Sequence, residues 1–169
     1  MRFRRMMVAG LALLGLLLIL AAVAYRLAMP GALFLMRFMN KNPEGDLAGR
    51  PFQVRELTIP CGGHELSARL YDPDGTRKRV LLLIHGVHRG GYDEPRLVHF
   101  SKRMAAMGFA VITPDLTDLK RYEIVPQVVD DIERCARWTV AESGLLGSRE
   151  KIGLLGISFS GGLCLSAAA

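Results

Sequence analysis

Lys151-Ile-Gly-Leu-Leu-Gly-Ile-Ser158, followed by Phe159-Ser160-Gly161-Gly162, is an apolar strand that turns directly into a helix with a serine at the bend. Gly156 stands two residues before that serine, and Ser160 and Gly161 follow it closely, so strand and helix can approach without Cβ clashes. A hydroxyl presented in this way is exposed and aimed out of the sheet. Ser158 is therefore the first candidate for a nucleophile. Ser160 offers a rival register, with Gly162 two residues after it, but then a serine occupies the position where Gly156 fits and the strand overruns by two.

Upstream, the pattern alternates between strands and helices. Phe52 to Ile59 and Glu65 to Tyr71 read as strands, joined through Cys61-Gly62-Gly63-His64 as an antiparallel hairpin. Asp72-Pro73-Asp74-Gly75 is a turn, and Val80 to Ile84 is an unbroken apolar run, as expected of a parallel strand covered on both faces. His85-Gly86 ends it. Asp93 is placed to cap a helix whose apolar residues Leu97, Phe100, Met104 and Met107 recur at helical spacing, closed by Gly108. Phe109 to Thr113 is the next strand. Pro126 suits a first helical turn, and Val125, Val129, Ile132, Cys135 or Ala136, and Val140 form the expected buried stripe up to Gly144. Ile152 to Ile157 then leads to the bend, with a helix expected from Phe159 onward.

This order predicts an α/β fold: a mostly parallel sheet with helices on both faces. In such sheets the site lies beyond the C-terminal ends of the strands. His85-Gly86, Pro114-Asp115 and Ser158 all fall on that edge. No internal repeat or low-complexity tract occurs outside the apolar N-terminal run.

Together, the His85-Gly86 loop, Pro114-Asp115 and the Gly156-Ile157-Ser158-Phe159-Ser160-Gly161-Gly162 turn resemble the α/β-hydrolase family over about residues 52 to 169, nearest its dienelactone-hydrolase and prolyl-oligopeptidase-like branch. Ser160 departs from the family's G-x-S-x-G, standing where the second glycine is expected. The resemblance implies that Ser158 attacks an ester or related acyl bond of a small-molecule substrate. It implies an oxyanion hole built from the backbone N–H groups of Val87 and Phe159, with His85, Gly86, Gly156, Ser160 and Gly161 supporting the loops. It implies neither a metal nor a cofactor.

A serine hydroxyl needs a general base. In the family the acid and then the histidine follow the serine, whereas Phe159 to Ala169 contain neither Asp nor His. His64, His85, His88 and His99 all precede Ser158, and the expectation for His85 is a loop-shaping role. Asp115 and Asp118 read as structural caps; Asp130, Asp131 and Glu133 read as solvent-facing. Cys61, Cys135 and Cys164 read as packing residues, a disulfide at Cys61 being conceivable outside the cytoplasm. The expectation is thus a chain that ends after the nucleophile elbow, the first half of a hydrolase whose base and acid lie beyond Ala169. The alternative is a truncated or catalytically silent membrane protein that binds a partner.

The net charge is +6, but six of the 22 Lys and Arg lie in residues 1–41, which hold no acid, leaving 16 bases against 16 Asp and Glu. That balance argues against a nucleic-acid partner. Met6 to Tyr25 is uncharged and follows Arg2, Arg4 and Arg5. It predicts a single transmembrane helix in the lipid bilayer, N-terminus cytoplasmic and domain extracytoplasmic. A secreted form, cleaved near Ala24 in Ala22-Val23-Ala24, remains the alternative. The expected organisation is an anchor or signal over 1–28, a juxtamembrane segment and linker over 29–50, and the hydrolase domain over 51–169.

Overall fold

The computed structural model describes residues 14–29, 49–75, 79–146 and 151–169. The chain divides into two compact units, Met1–Asn42 and Pro43–Ala169. Within the first, residues 14–29 form a helix, α1, whose apolar side chains, Leu17, Leu20 and Leu27 among them, are exposed. The expectation of a spanning helix over residues 6–25 is not met among the described residues, where no helix is long and apolar enough to cross a membrane. Residues 6–13 and nearly all of the juxtamembrane segment lie outside the described residues.

The second unit is built on a five-stranded sheet in the order β1-β2-β4-β3-β5, the strands being β1 Phe52–Pro60, β2 Glu65–Pro73, β3 Arg79–Ile84, β4 Phe109–Pro114 and β5 Ile152–Gly156. β1 and β2 form the expected antiparallel hairpin, and β2 runs antiparallel to β4; β4, β3 and β5 are mutually parallel. The sheet is therefore mixed rather than mostly parallel.

The helices of this unit are α2 Pro95–Ala106, α3 Thr117–Lys120, α4 Pro126–Ala141 and α5 Ser160–Ala167. The chain steps from β3 to β4 through α2, then crosses back over β3 to β5 through α4. Crossovers of one hand in opposite directions place their helices on opposite faces. Accordingly Leu66, Leu70, Val80, Leu82, Ile84 and Ile112 share a core with Val128, Ile132 and Cys135 of α4 and Cys164 of α5, while α2 packs against β2 and β4. β3, flanked by β4 and β5, is buried from Val80 to Ile84. Each such side chain contributes roughly 1.5 to 3 kcal/mol on leaving water.

Local readings shift where tertiary contacts outweigh pattern. The α2 cap is Glu94, whose carboxylate accepts the Leu97 N–H at 2.9 Å, and Asp93 lies instead in a 3-10 turn, Gly91–Asp93. The buried stripe of α4 is Val128, Ile132, Cys135 and Thr139, rotated from the expected one, and Val125 and Val140 are exposed. Asp131, expected to face water, is buried against His64 at 3.2 Å and Gln127 at 2.8 Å.

Candidate active site

β3 is the strand at which the chain reverses direction across the sheet, so the loops after β3 and β5 leave toward opposite faces and open a crevice between them. Gly86 and Ser158 face each other there. Ile157 continues the ladder by donating its N–H to the Ile84 carbonyl at 3.0 Å. The next residue, Ser158, takes a left-handed backbone conformation, φ 57°, and is exposed. Left-handed backbone costs a non-glycine residue roughly 1 to 2 kcal/mol. Strain of this kind persists only where surrounding contacts over-determine it.

Those contacts can be named. A Cβ on Gly156 would overlap the Ser160 carbonyl, so only glycine lets α5 start directly over the end of β5. Ser160 N–H donates to the Ile157 carbonyl at 3.2 Å, and Gly161 N–H to the Ser158 carbonyl at 3.1 Å. The Ser160 side chain is fully buried, and its hydroxyl donates to the His85 carbonyl at 2.6 Å. That bond joins the first turn of α5 to the loop after β3. It ties Ser160 to the loop after β3 and leaves Ser158 as the exposed serine of the bend. The helix starts at Ser160, one residue later than expected, with Phe159 as its N-cap.

Across the crevice, a Cβ on Gly86 would lie 3.2 Å from the Ile157 carbonyl and 3.6 Å from the Ser158 Cβ. Close approach by the loop therefore depends on that glycine. His85 shapes the same loop with both ring nitrogens: Nδ1–H donates to the Gly86 carbonyl at 2.8 Å, and Nε2 accepts the Leu116 N–H at 3.0 Å. This bonding defines a neutral ring, and burial lowers its pKa below the ordinary value. His85 has no nitrogen left to act as a base.

A cavity of about 200 Å³ lies over Ser158, lined by Gly86, Val87, His88, Glu94 and Ile157 among others. Among the described residues, neither Val87 N–H nor Phe159 N–H has a hydrogen-bond acceptor. Val87 lines the cavity beside Ser158, and Phe159 is the next residue in the chain. His88 lines the cavity too, and its Nδ1 accepts the Gly90 N–H at 3.0 Å. His64 is engaged with Asp131 at the β1–β2 turn.

Asp115 and Lys120, from the loop and short helix after β4, form an ion pair at 2.7 Å. A Cβ on Gly91, φ 52°, would run into this pair. Gly91 thus lets the loop after β3 settle on the loop after β4. Asp115 Oδ1 stands 4.0 Å from His85 Nε2, which already accepts an amide proton, so the two are not a catalytic couple. The Glu94 cap and the His85–Leu116 bond are missed by the motif reading. Pro95 was the available signal for the first, since proline at a helix's first position marks the cap one residue earlier.

No family model matches the chain, nor does any curated protein. Among solved structures, an esterase from Pyrobaculum calidifontis superposes with a TM-score of 0.60 at 29% identity, covering 72% of this chain and 41% of its own. The dienelactone hydrolase of Anabaena variabilis gives 0.59 at 22% identity, over 69% of this chain and 57% of its own. A thermostable carboxylesterase from a metagenomic library gives 0.54 at 21% identity, over 70% and 41%. The chain thus spans 41 to 57% of the length of these proteins. With its sheet order, its crevice and a strained serine where β5 meets α5, the chain has the α/β-hydrolase fold.

Proposed function

We propose that the protein is a serine hydrolase of small-molecule esters or related acyl compounds, with Ser158 as nucleophile. The single observation that carries this reading is the exposed Ser158 held at φ 57° at the wall of a cavity. In this reading Ser158 Oγ bonds to the acyl carbon, and the carbonyl oxygen gathers negative charge against Val87 N–H and Phe159 N–H. The alcohol leaves with a proton, giving an acyl-enzyme that water resolves. Each oxyanion donor stabilises the transition state by about 3 to 4 kcal/mol. His85 and Ser160 position the two loops and touch no substrate.

In this reading neither His85, with both ring nitrogens engaged, nor His88, whose Nδ1 accepts the Gly90 N–H, is the general base. The esterases that share the fold extend well beyond the matched portion, which is 41% of the archaeal enzyme, and the reading assigns the base and acid to that further length. The uncharged run Met6 to Tyr25 behind Arg2, Arg4 and Arg5 supports tethering at a membrane with the domain on the extracytoplasmic side. Hydrolysis of short-chain p-nitrophenyl esters by the full-length protein tests the proposal. Ser158→Ala is expected to lower kcat roughly a thousandfold or more, while Ser160→Ala retains turnover. Equal rates for wild type and Ser158→Ala would overturn it.

One observation favours a second reading, a non-catalytic protein that uses the same cavity for binding. Both histidines lining the cavity already have a ring nitrogen accepting a backbone N–H. Absence of turnover in the folded full-length protein would select this reading.

A further inference from the structure

The β1–β2 turn and α4 meet through a pair of thiols that the hydrolase reading does not use. Cys61 and Cys135 are both fully buried, and their Sγ atoms lie 3.8 Å apart, although 74 positions separate them in the chain. Two further contacts hold the same two elements together. Arg134 Nη1 donates to the Cys61 carbonyl at 3.2 Å, and His64 meets Asp131 at 3.2 Å. Gly62, at φ 60°, lies under the Arg134 guanidinium where a Cβ would collide with it, so the turn is seated closely on the helix.

We propose that Cys61 and Cys135 are a disulfide-forming pair which, on meeting a disulfide oxidant, staples the β1–β2 turn to α4. A disulfide needs the sulfurs at about 2.05 Å, so the pair has to close by a little under 2 Å, within reach of side-chain rotation and a small settling of the turn. The chemistry is exchange with a small-molecule disulfide, RSSR. Cys61 Sγ, as thiolate, bonds to one sulfur of RSSR and releases the first RS⁻. Cys135 then loses its proton and bonds to Cys61 Sγ, releasing the second RS⁻. Two protein thiols are oxidised, one RSSR is reduced to two RSH, and the two thiol protons pass to the leaving thiolates.

The order of attack follows from the pair's own hydrogen bond. The contact with Cys135 lowers the Cys61 pKa, and the same contact together with burial raises that of Cys135. Access to Cys61 comes from the turn beside it, where Gly62, Gly63 and His64 are all exposed and both glycines have left-handed backbone. Cys164, also buried, belongs to α5 and serves as the internal control.

The staple has a structural purpose at β1. This edge strand pairs only with β2, and most of its residues are exposed. A covalent link from the end of β1 to a core helix restrains that edge and removes configurations from the unfolded chain.

The test incubates the full-length protein, purified reduced, with oxidised glutathione, then denatures, alkylates and digests it with trypsin without reduction. The expected product is peptide 56–69 joined to peptide 135–137 with the loss of two hydrogens, and Cys164 alkylated. The thermal midpoint is expected to rise by about 10 °C and to return on adding a thiol reductant. Cys164→Ala is expected to give the same linked peptide and the same rise. Alkylation of Cys61 and Cys135 after oxidation, stable mixed disulfides at both, or a link to Cys164 would overturn the proposal.

Discussion

At Ser158 a left-handed backbone is imposed on a residue with a Cβ, so the bend works against its own side chain. Glycine at this position would remove that strain and the hydroxyl together, while alanine removes the hydroxyl and keeps the strain. Ser158→Gly is therefore expected to be more stable than Ser158→Ala by about 1 kcal/mol in urea unfolding, with both inactive. Equal stabilities would mean that the bend is not strained. The neighbouring glycine makes the opposite case. Gly156→Ala must push the start of α5 away from β5, at an expected cost of about 2 to 3 kcal/mol. Ser160→Ala breaks the 2.6 Å bond to the His85 carbonyl and leaves that buried oxygen unpaired. It is expected to cost about 1 to 3 kcal/mol without abolishing the nucleophile.

Among the elements, the loop after β3 carries a pH signature. His85 is neutral in the fold, with its pKa lowered from 6.5 mainly by burial. The unfolded chain therefore takes up a proton at a higher pH than the folded one. Stability from this group is fully present above about pH 6.5 and declines as pH falls from there toward the lowered folded value. Urea midpoints between pH 8 and pH 5 are expected to drop in wild type and to drop less in His85→Asn, whose stability is already reduced at pH 8. Parallel profiles would contradict the role given to His85. The strands were largely legible from apolar runs and turn residues, as were Gly108 and Pro126 at helix ends, because these are local signals. What was not legible depended on partners distant in sequence. The face of α4 was rotated because the stripe 128–132–135–139 meets the sheet. Asp131 is buried because His64, from a hairpin 67 residues away, reaches it. No periodicity in a single helix contains that information.

For the molecule as a whole, the fold brings together residues that stand far apart in the chain. The loop beginning at His85 and the bend at Ser158 become one crevice because β3 and β5 are neighbours, although β4 and the helices α2, α3 and α4 intervene in sequence. The serine was readable from its own glycine and small neighbours. The separation of Ser158 from Ser160 by task was not, since it rests on a hydroxyl bonded to a carbonyl 75 residues away. The central claim is that Ser158, and no other serine, is the reactive group, and a serine-directed phosphonate tests it most directly. The full-length protein is expected to carry the adduct on the Ile152–Ala169 segment, with fragment masses placing it at Ser158, and Ser158→Ala is expected to carry none. An adduct at Ser160, or the absence of any adduct on the folded protein, would contradict the account.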